Sequence, residues 1–496
     1  MIHMMQKIVE KTVLAFYLLF FILVIIYGNF VRGIYKYERP TAYLLFYAIL
    51  GSLFFLGLFY LLKNWRTLKN PKLFMPILAF IAFVPRYIWM RLIPTVPQID
   101  FLRYHNYALA LLKGDYDAYL EIRGVFPHLS GYPLVLSHIY KIFGDTVAVG
   151  KWFNIFVSII SVLLIYLLAR EVFGDTAGQM AGLIYALYPA DIMYITLLAS
   201  EHIFLSLFLL ALYLFVRFSR QDLGYGGLLK FILVGVVMAV AHIIRPVSSL
   251  LFPPILLYLL FFQKVDISIK EFLIEKTMVM GIIILSFLIT LGGLNLVYID
   301  KVQVPLGKTG GGFNMYVGTD PERDGMWNPN AWKIIEEFDH DFDKVHGEAQ
   351  RRAIRRIFND PRGFIGLAER KFAIQWSTDD YAYYWSMLEL YPETKFSLWI
   401  REHSEFVNIF AQSYYMSFIL IACVGAWMGL RSRKIPDGLG LFAMIVLIFV
   451  AAHILIEVQS RYHHPVVPFF ILTAVMAMGY IFDDLDHMGN GELDNG

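Results

Sequence analysis

The sequence predicts an all-α, polytopic membrane protein. Three observations carry this: 58% of the 496 residues are hydrophobic, only 17% are charged, and apolar runs of span length recur from end to end. Soluble domains average about 25% charged residues and about 45–50% apolar ones, and the mean hydropathy here is +0.58. Disorder, collagen-like repeats and a disulfide scaffold are excluded on the same grounds. A single cysteine, Cys423, allows neither an intrachain disulfide nor a multi-cysteine metal site. The formal net charge of +2 gives no electrostatic footprint for nucleic acid. No Asn-x-Ser/Thr sequon occurs, which leans towards a prokaryotic source.

A hydrocarbon core about 30 Å thick needs about 20 helical residues. On that measure about 12 spans are read, at 13–31, 42–62, 74–92, 147–168, 178–197, 202–217, 229–246, 249–262, 277–298, 406–429, 438–457 and 464–482. The first follows Lys7 and Lys11, but it is too long for a signal-peptide core and lacks a small-x-small cleavage site. Arg245-Pro246 and Pro253-Pro254 interrupt the seventh and eighth, where a broken or re-entrant pair is the alternative.

The short loops set orientation through Lys and Arg. With a cytoplasmic N-terminus, the inner loops hold Lys63, Arg66, Lys69, Lys72, Arg170, Arg217, Arg220, Lys264, Lys270, Lys276, Arg431, Arg433 and Lys434. The outer short loops hold only Arg32, Lys36, Arg39, Arg245 and Arg461. Both termini then lie in the cytoplasm. The chain divides into a transmembrane core, 1–298, with an outer loop at 93–146, an extracytoplasmic segment, 299–405, C-terminal helices, 406–482, and a tail, 483–496.

The outer loop is the most informative stretch. Gln98 to Gly114 reads as an interfacial helix ending at a glycine, with Asp100, Tyr104, Tyr107, Ala108 and Leu111 on one face. Asp100 sits where a helix dipole favours a carboxylate; an ordinary N-cap is the plainer role. Gly114-Asp115-Tyr116, then Pro127-His128-Leu129-Ser130-Gly131-Tyr132-Pro133, then Phe143-Gly144 follow. Further on come Tyr188-Pro189 with Ser200-Glu201, Arg245-Pro246, Asn314-Met315-Tyr316-Val317-Gly318 with Gly325-Met326-Trp327, and Arg461-Tyr462 with Pro465 and Pro468.

In that order, over 98–468, these motifs resemble the GT-C superfamily of integral-membrane glycosyltransferases, in the branch of protein mannosyltransferases and the aminoarabinose transferase. The resemblance departs in two extra spans before the motif-bearing loop, an Asp-Phe where many members show Asp-Glu, and the lack of a soluble insertion. It implies a GT-C fold and inverting transfer of a sugar from a polyprenyl-phosphate donor to an acceptor hydroxyl at the extracytoplasmic face of a cell membrane. The acceptor would be lipid-linked, glycan or protein. Rival readings are a ligase or polymerase using a diphosphate-linked glycan, and a lipid-linked-sugar flippase or transporter.

Such a reaction needs a base for the hydroxyl and cations for the departing phosphate. The resemblance assigns the base to Asp100 and an accessory role to Glu201, whose position at a span end is costly unless it serves a function or pairs with Arg245 or Arg461. Arg245, Arg461 and His463 are expected at the phosphate, where the planar guanidinium suits bidentate contact. Tyr104, Tyr107, His128, Tyr132, His202 and Tyr462 are expected at the acceptor or sugar. No cofactor is assigned, and a divalent metal stays open; His463 and His464, adjacent in sequence, point apart on a helix and would not share one.

Elsewhere, Glu457 and Arg461 have the spacing of a helical pair. Residues 348–371 read as one basic amphipathic helix suited to anionic headgroups. Residues 336–343 with His346 read as a solvated acidic face. Trp376, Tyr381, Tyr383, Tyr384 and Trp385 read as an interfacial aromatic belt, with stacking on a sugar as the alternative.

Overall fold

The chain is described here from a computed structural model covering all residues except 1, 31–40, 66–69, 222–224, 264–267, 433–437 and 490–496. The described residues are helical apart from one isolated antiparallel bridge, Thr95 to Leu390. Nine of their helices are long and apolar enough to cross a membrane, from Met4–Gly28 to Ser460–Asp483, and two shorter apolar helices, Pro246–Phe261 and Leu439–Leu455, accompany them. The central elements are Val147–Phe173, Ser200–Ser219 and Val467–Gly489, whose apolar side chains are mostly enclosed by protein. Ile269–Val302 is peripheral, with Leu285, Ile289 and Leu296 exposed.

Local chemistry sets the boundaries. Ser268 and Glu271 form a capping box at the start of Ile269–Val302. Gly174, at φ +90°, ends one helix and opens the next. One expected span is shorter and broken. In place of a continuous 178–197 helix the chain forms Asp175–Ala186 and then the six-residue Pro189–Tyr194. Pro189 has no N–H to continue the ladder, so carbonyls are released at the end of the first piece. Arg86, fully buried on the helix Pro71–Leu92, takes them up: it donates to the Ala186 carbonyl at 2.7 Å and the Tyr185 carbonyl at 3.4 Å. Its other edge pairs with Asp191 at 2.6 Å. A second difference is at 348–371, where Asp360-Pro361 divides the basic stretch into Phe342–Asn359 and Pro361–Trp376. Asp360 caps the second helix by accepting from the Gly363 N–H at 2.9 Å.

The bundle has two unlike ends. At one, Lys11 donates to the carbonyls of Leu430 and Ser432 at 2.5 and 2.6 Å, and Lys63 pairs with Asp483 at 3.0 Å. These belong to the loops read as inner. Arg32, Lys36, Arg39, Arg66, Lys69, Lys264, Arg433 and Lys434, counted in the same orientation argument, lie outside the described residues. The other end carries the 93–146 and 299–405 segments. These are joined through Val96 N–H to the Glu389 carbonyl at 2.9 Å and Tyr391 N–H to the Pro94 carbonyl at 3.0 Å. The aromatic residues expected in a belt are largely inside the protein instead: Trp376, Tyr381 and Tyr383 are 1%, 0% and 3% exposed. They fill the joint between the outer segment and the bundle, where Trp376 meets Phe20 edge-on.

Candidate active site

The helix Ile99–Lys113 begins where the Pro71–Leu92 helix has ended, and it stops at Gly114, whose φ of +81° is the left-handed conformation expected of a terminating glycine. Gln98, not Asp100, is the N-cap. Asp100 stands in the first turn and is 36% exposed, with Oδ1 accepting from Arg103 at 2.9 Å and Oδ2 at 3.7 Å from Arg461.

Three other side chains converge there from distant points in the sequence. Glu201 opens the Ser200–Ser219 helix and is nearly enclosed. Arg245 ends Phe231–Ile244, in an extended conformation before Pro246. Its guanidinium pairs with Glu201 at 2.8 Å and donates to the Ser200 hydroxyl at 3.1 Å. Arg461, in the 3-10 turn Ser460–Val466, lies 3.9 Å from the same Glu201 oxygen. Arg461 therefore stands between Asp100 and Glu201, and the four charged residues singled out from sequence form one cluster. Glu201 thus has the pairing expected of a carboxylate at a span end, with both arginines at hand.

Aromatic rings wall this cluster. Arg461 faces Phe101, Trp385 and Tyr462, with its guanidinium carbon 5.6, 5.7 and 5.7 Å from the ring centres. Arg245 lies 5.9 Å from the Tyr462 ring. Tyr104 packs edge-on against Tyr132 at 5.2 Å. Burial, and then the negative charge of Asp100, push the Tyr104 hydroxyl up to about 12, so it stays a proton donor. His128 is pushed down to about 4 by burial and by the charge of Arg245, and is neutral at pH 7. Gly131 explains its own motif: a Cβ there would sit 1.7 Å from the Ile243 carbonyl oxygen. Only a glycine lets the helix Gly131–Phe143 start against the end of Phe231–Ile244.

Three residues expected at the site face elsewhere. Tyr107 is buried under Arg123, 4.5 Å from its ring centre. His463 has both ring nitrogens occupied in the core, by the Gln375 carbonyl at 2.6 Å and Asp379 at 3.1 Å. His202 bonds the Tyr194 carbonyl at 3.1 Å and lies edge-on to His464. For the two histidines a sequence neighbour, Glu201 or Tyr462, faces the cluster instead, as consecutive residues of a helix or 3-10 turn must diverge. Glu457 and Arg461 make no ion pair, because the chain between them is extended at Gln459. Glu457 instead accepts from Gln459 at 2.8 Å and Tyr462 at 3.4 Å.

Ser200 stands in the sequence only as part of the Ser-Glu motif, Trp385 only among the belt or sugar-stacking aromatics, and Lys371 only in the basic stretch. Lys371, 1% exposed, donates to the carbonyls of Gly318, Ile454 and Ile456 at 2.7, 2.7 and 2.8 Å. It thereby fastens the linker that leads from Leu439–Leu455 to Arg461. The Asn314–Gly325 stretch clamps the same linker. The Glu457 N–H bonds the Asn314 carbonyl at 2.8 Å, and the Val458 N–H bonds the Gly325 carbonyl at 3.0 Å. Gly318 lies so close that a Cβ would be 2.2 Å from the Ile456 carbonyl carbon. The Asn-x-Tyr-x-Gly motif thus holds the linker in place. The triple glycine at 310–312 packs against His346, where Gly310 and Gly312 leave no room for a Cβ. The basic residues Arg351 and Arg352 are engaged by Glu348, with Glu337 also on Arg352.

Residues 130–290, about a third of the chain, match the family model described as dolichyl-phosphate-mannose-protein mannosyltransferase. No curated protein matches the chain by sequence. Among solved structures, the apo oligosaccharyltransferase of Archaeoglobus fulgidus aligns with 84% of this chain at 13% identity and a TM-score of 0.44. The archaeal oligosaccharyltransferase from the same organism, in complex with an inhibitory peptide and a dolichol-phosphate, aligns with 85% at 14% identity and a TM-score of 0.38. The chain spans about half the length of these enzymes, 51% in both alignments.

Proposed function

We propose that this protein is a multi-pass membrane glycosyltransferase that moves a sugar from a polyprenyl-phosphate donor to an acceptor hydroxyl at the extracytoplasmic face, with inversion. The observation that carries the reading is the convergence of Asp100, Glu201, Arg245 and Arg461 at the bundle end that bears both large segments. The mannosyltransferase family model, which covers 130–290, includes Glu201 and Arg245.

The charges suit the chemistry. With Arg103, which pairs with Asp100, three guanidiniums face the two carboxylates Asp100 and Glu201, leaving about one positive charge for a phosphodiester. Arginine donors in an enclosed site stabilise charge that develops on a departing phosphate. Asp100 is the more exposed of the two carboxylates, at 36% against 4% for Glu201, so an acceptor can reach it. In the proposed step the acceptor oxygen gives its proton to Asp100 and bonds to the anomeric carbon as the carbon–oxygen bond to phosphate breaks. The electron pair leaves on the carrier phosphate, between Arg245 and Arg461. Glu201 fixes both arginines, while Tyr104, Tyr132, His128, Tyr462 and Trp385 offer polar tips and ring faces to a sugar.

The test uses protein reconstituted in lipid, wild type and Asp100→Asn, with a panel of polyprenyl-phosphate sugars and an envelope extract as acceptor source. Free polyprenyl phosphate is followed by mass spectrometry. Release from one donor, falling at least about 100-fold in the variant, is expected of a lost general base, which contributes about 10²–10⁴-fold. Release that is equal in both proteins, or absent with every donor, removes this reading.

A further inference from the structure

We propose that Asp191, His202 and His464 bind one divalent transition-metal ion, in a site of two imidazoles and one carboxylate that suits Zn2+. This goes beyond the sugar-transfer reading and does not rest on it. The three residues are fully buried, and each presents one ligand atom within 4.8 Å of the others. They come from three elements: the short helix Pro189–Tyr194, the first turn of Ser200–Ser219, and the 3-10 turn Ser460–Val466.

Each histidine is already oriented as a ligand would be. His202 donates its Nε2–H to the Tyr194 carbonyl at 3.1 Å. That bond fixes the tautomer and leaves a lone pair on Nδ1, which is buried without a hydrogen-bond partner. His464 engages the Tyr381 hydroxyl through Nδ1 at 2.6 Å. Its Nε2 is also buried without a hydrogen-bond partner and lies 3.5 Å from Asp191 Oδ1. A carbonyl or hydroxyl on the far nitrogen is the support that metal-binding histidines ordinarily have. Asp191 is held from behind, with Arg86 and Ser158 on Oδ2 at 2.6 and 2.5 Å. Oδ1, which accepts from the Tyr185 hydroxyl at 3.1 Å, is left towards the histidines.

The charge balance points the same way. Three carboxylates, Asp191, Asp379 and Asp380, are 1%, 0% and 1% exposed in this part of the core. Arg86 pairs with the first, whereas Asp379 has no Lys or Arg partner among the described residues and is met by His463 and Tyr188. Burial pushes the Asp379 carboxyl up, and the neighbouring Asp380 adds to the rise. Tyr381 joins the two groups, its hydroxyl on His464 and its ring 5.4 Å from that of His463. A cation among Asp191, His202 and His464 would supply the missing charge and satisfy both orphaned nitrogens. Zinc–ligand bonds of about 2.0–2.2 Å require the widest pair to close by at most about 1.5 Å, within the reach of side-chain rotation.

The full-chain protein is purified in detergent, stripped with a chelator and re-equilibrated with Zn2+ alone, and bound metal is counted by elemental mass spectrometry. About one equivalent is expected, dropping at least about tenfold in His202→Ala and His464→Ala, because each removes one of three protein ligands. The doubly substituted Glu336→Gln, Glu337→Gln protein, altered in the exposed acidic stretch, should keep the metal. Wild-type retention below about a tenth of an equivalent overturns the proposal, and so does zinc held undiminished by both histidine variants. If those variants do not fold, X-ray absorption of the wild-type zinc decides: two imidazole nitrogens support the site, and none overturns it.

Discussion

Arg86 shows at the scale of one residue what a charge inside a membrane bundle must do to be tolerated. It is fully buried, and its donors reach Asp191, Ser158 and the carbonyls that the Pro189 break releases. Removing one partner of such a pair leaves the other buried and unpaired, at a cost of about 3–5 kcal/mol. Arg86→Met should therefore lower the thermal midpoint sharply in detergent. The double substitution Arg86→Met, Asp191→Leu should recover a large part of the loss, since apolar replacement of a buried pair is often close to neutral. A double variant no more stable than the single one would count against this account. Asp100, Glu201, Arg245 and Arg461 were legible in the sequence because a charge at the edge of an apolar run is expensive and demands a reason. Lys371 was not legible as a clamp, and Trp385 stayed divided between a sugar-stacking ring and a belt, since tryptophans and lysines just outside a span are common without any site. His202 and His463 were misread as site-facing because adjacency in sequence does not say which of two neighbours faces inwards.

At the scale of elements, the linker from Leu439–Leu455 to Arg461 carries the most consequence. It is clamped by Asn314, Gly318 and Gly325 on one side and by Lys371 on the other. Gly318→Ala would place a methyl 2.2 Å from backbone, and backbone can answer only by moving. Overpacking of this kind costs about 1–3 kcal/mol. Because the displaced segment leads to Arg461, transfer should fall at least about tenfold even where the protein stays folded; unchanged transfer would separate the clamp from the site. Lys371 gives a pH signature. Its ammonium matches three carbonyls, yet burial is the larger influence and pushes it down to about 7 from 10.5. Between those two values the unfolded chain holds a proton that the folded chain does not, so stability rises with pH across that window and is lost as pH falls through 7. The difference in thermal midpoint between wild type and Lys371→Met should therefore change between pH 7 and 10, the variant lacking that slope. The stretch around Asn314 resembles a family motif in sequence, but its clamping role could not be read there, because its partner lies more than a hundred residues away.

At the scale of the whole molecule, sequence hydropathy gave the helical membrane class and the positions of most spans, because a span's length is set by the bilayer and not by its partners. It did not give the break at Pro189 or the burial of Trp376 and Tyr381, which depend on what packs alongside. The orientation argument is directly testable because the chain has one cysteine. In a Cys423→Ser background, an impermeant maleimide should label Arg362→Cys in intact cells and Arg220→Cys only after permeabilisation; the reverse pattern would invert the topology and move the site to the cytoplasmic face. The broken span also bears on biosynthesis. Asp175–Ala186 has 12 residues, about 18 Å of helix against a hydrocarbon thickness of about 30 Å. Such a segment cannot leave the translocon for lipid by its own hydrophobicity. It packs along Val147–Phe173, with Gly178 and Gly182 set against Tyr166 and Arg170 of that helix. The two would insert as one hairpin, and Arg86, already synthesised and spanning, would wait unpaired until that hairpin delivers Asp191.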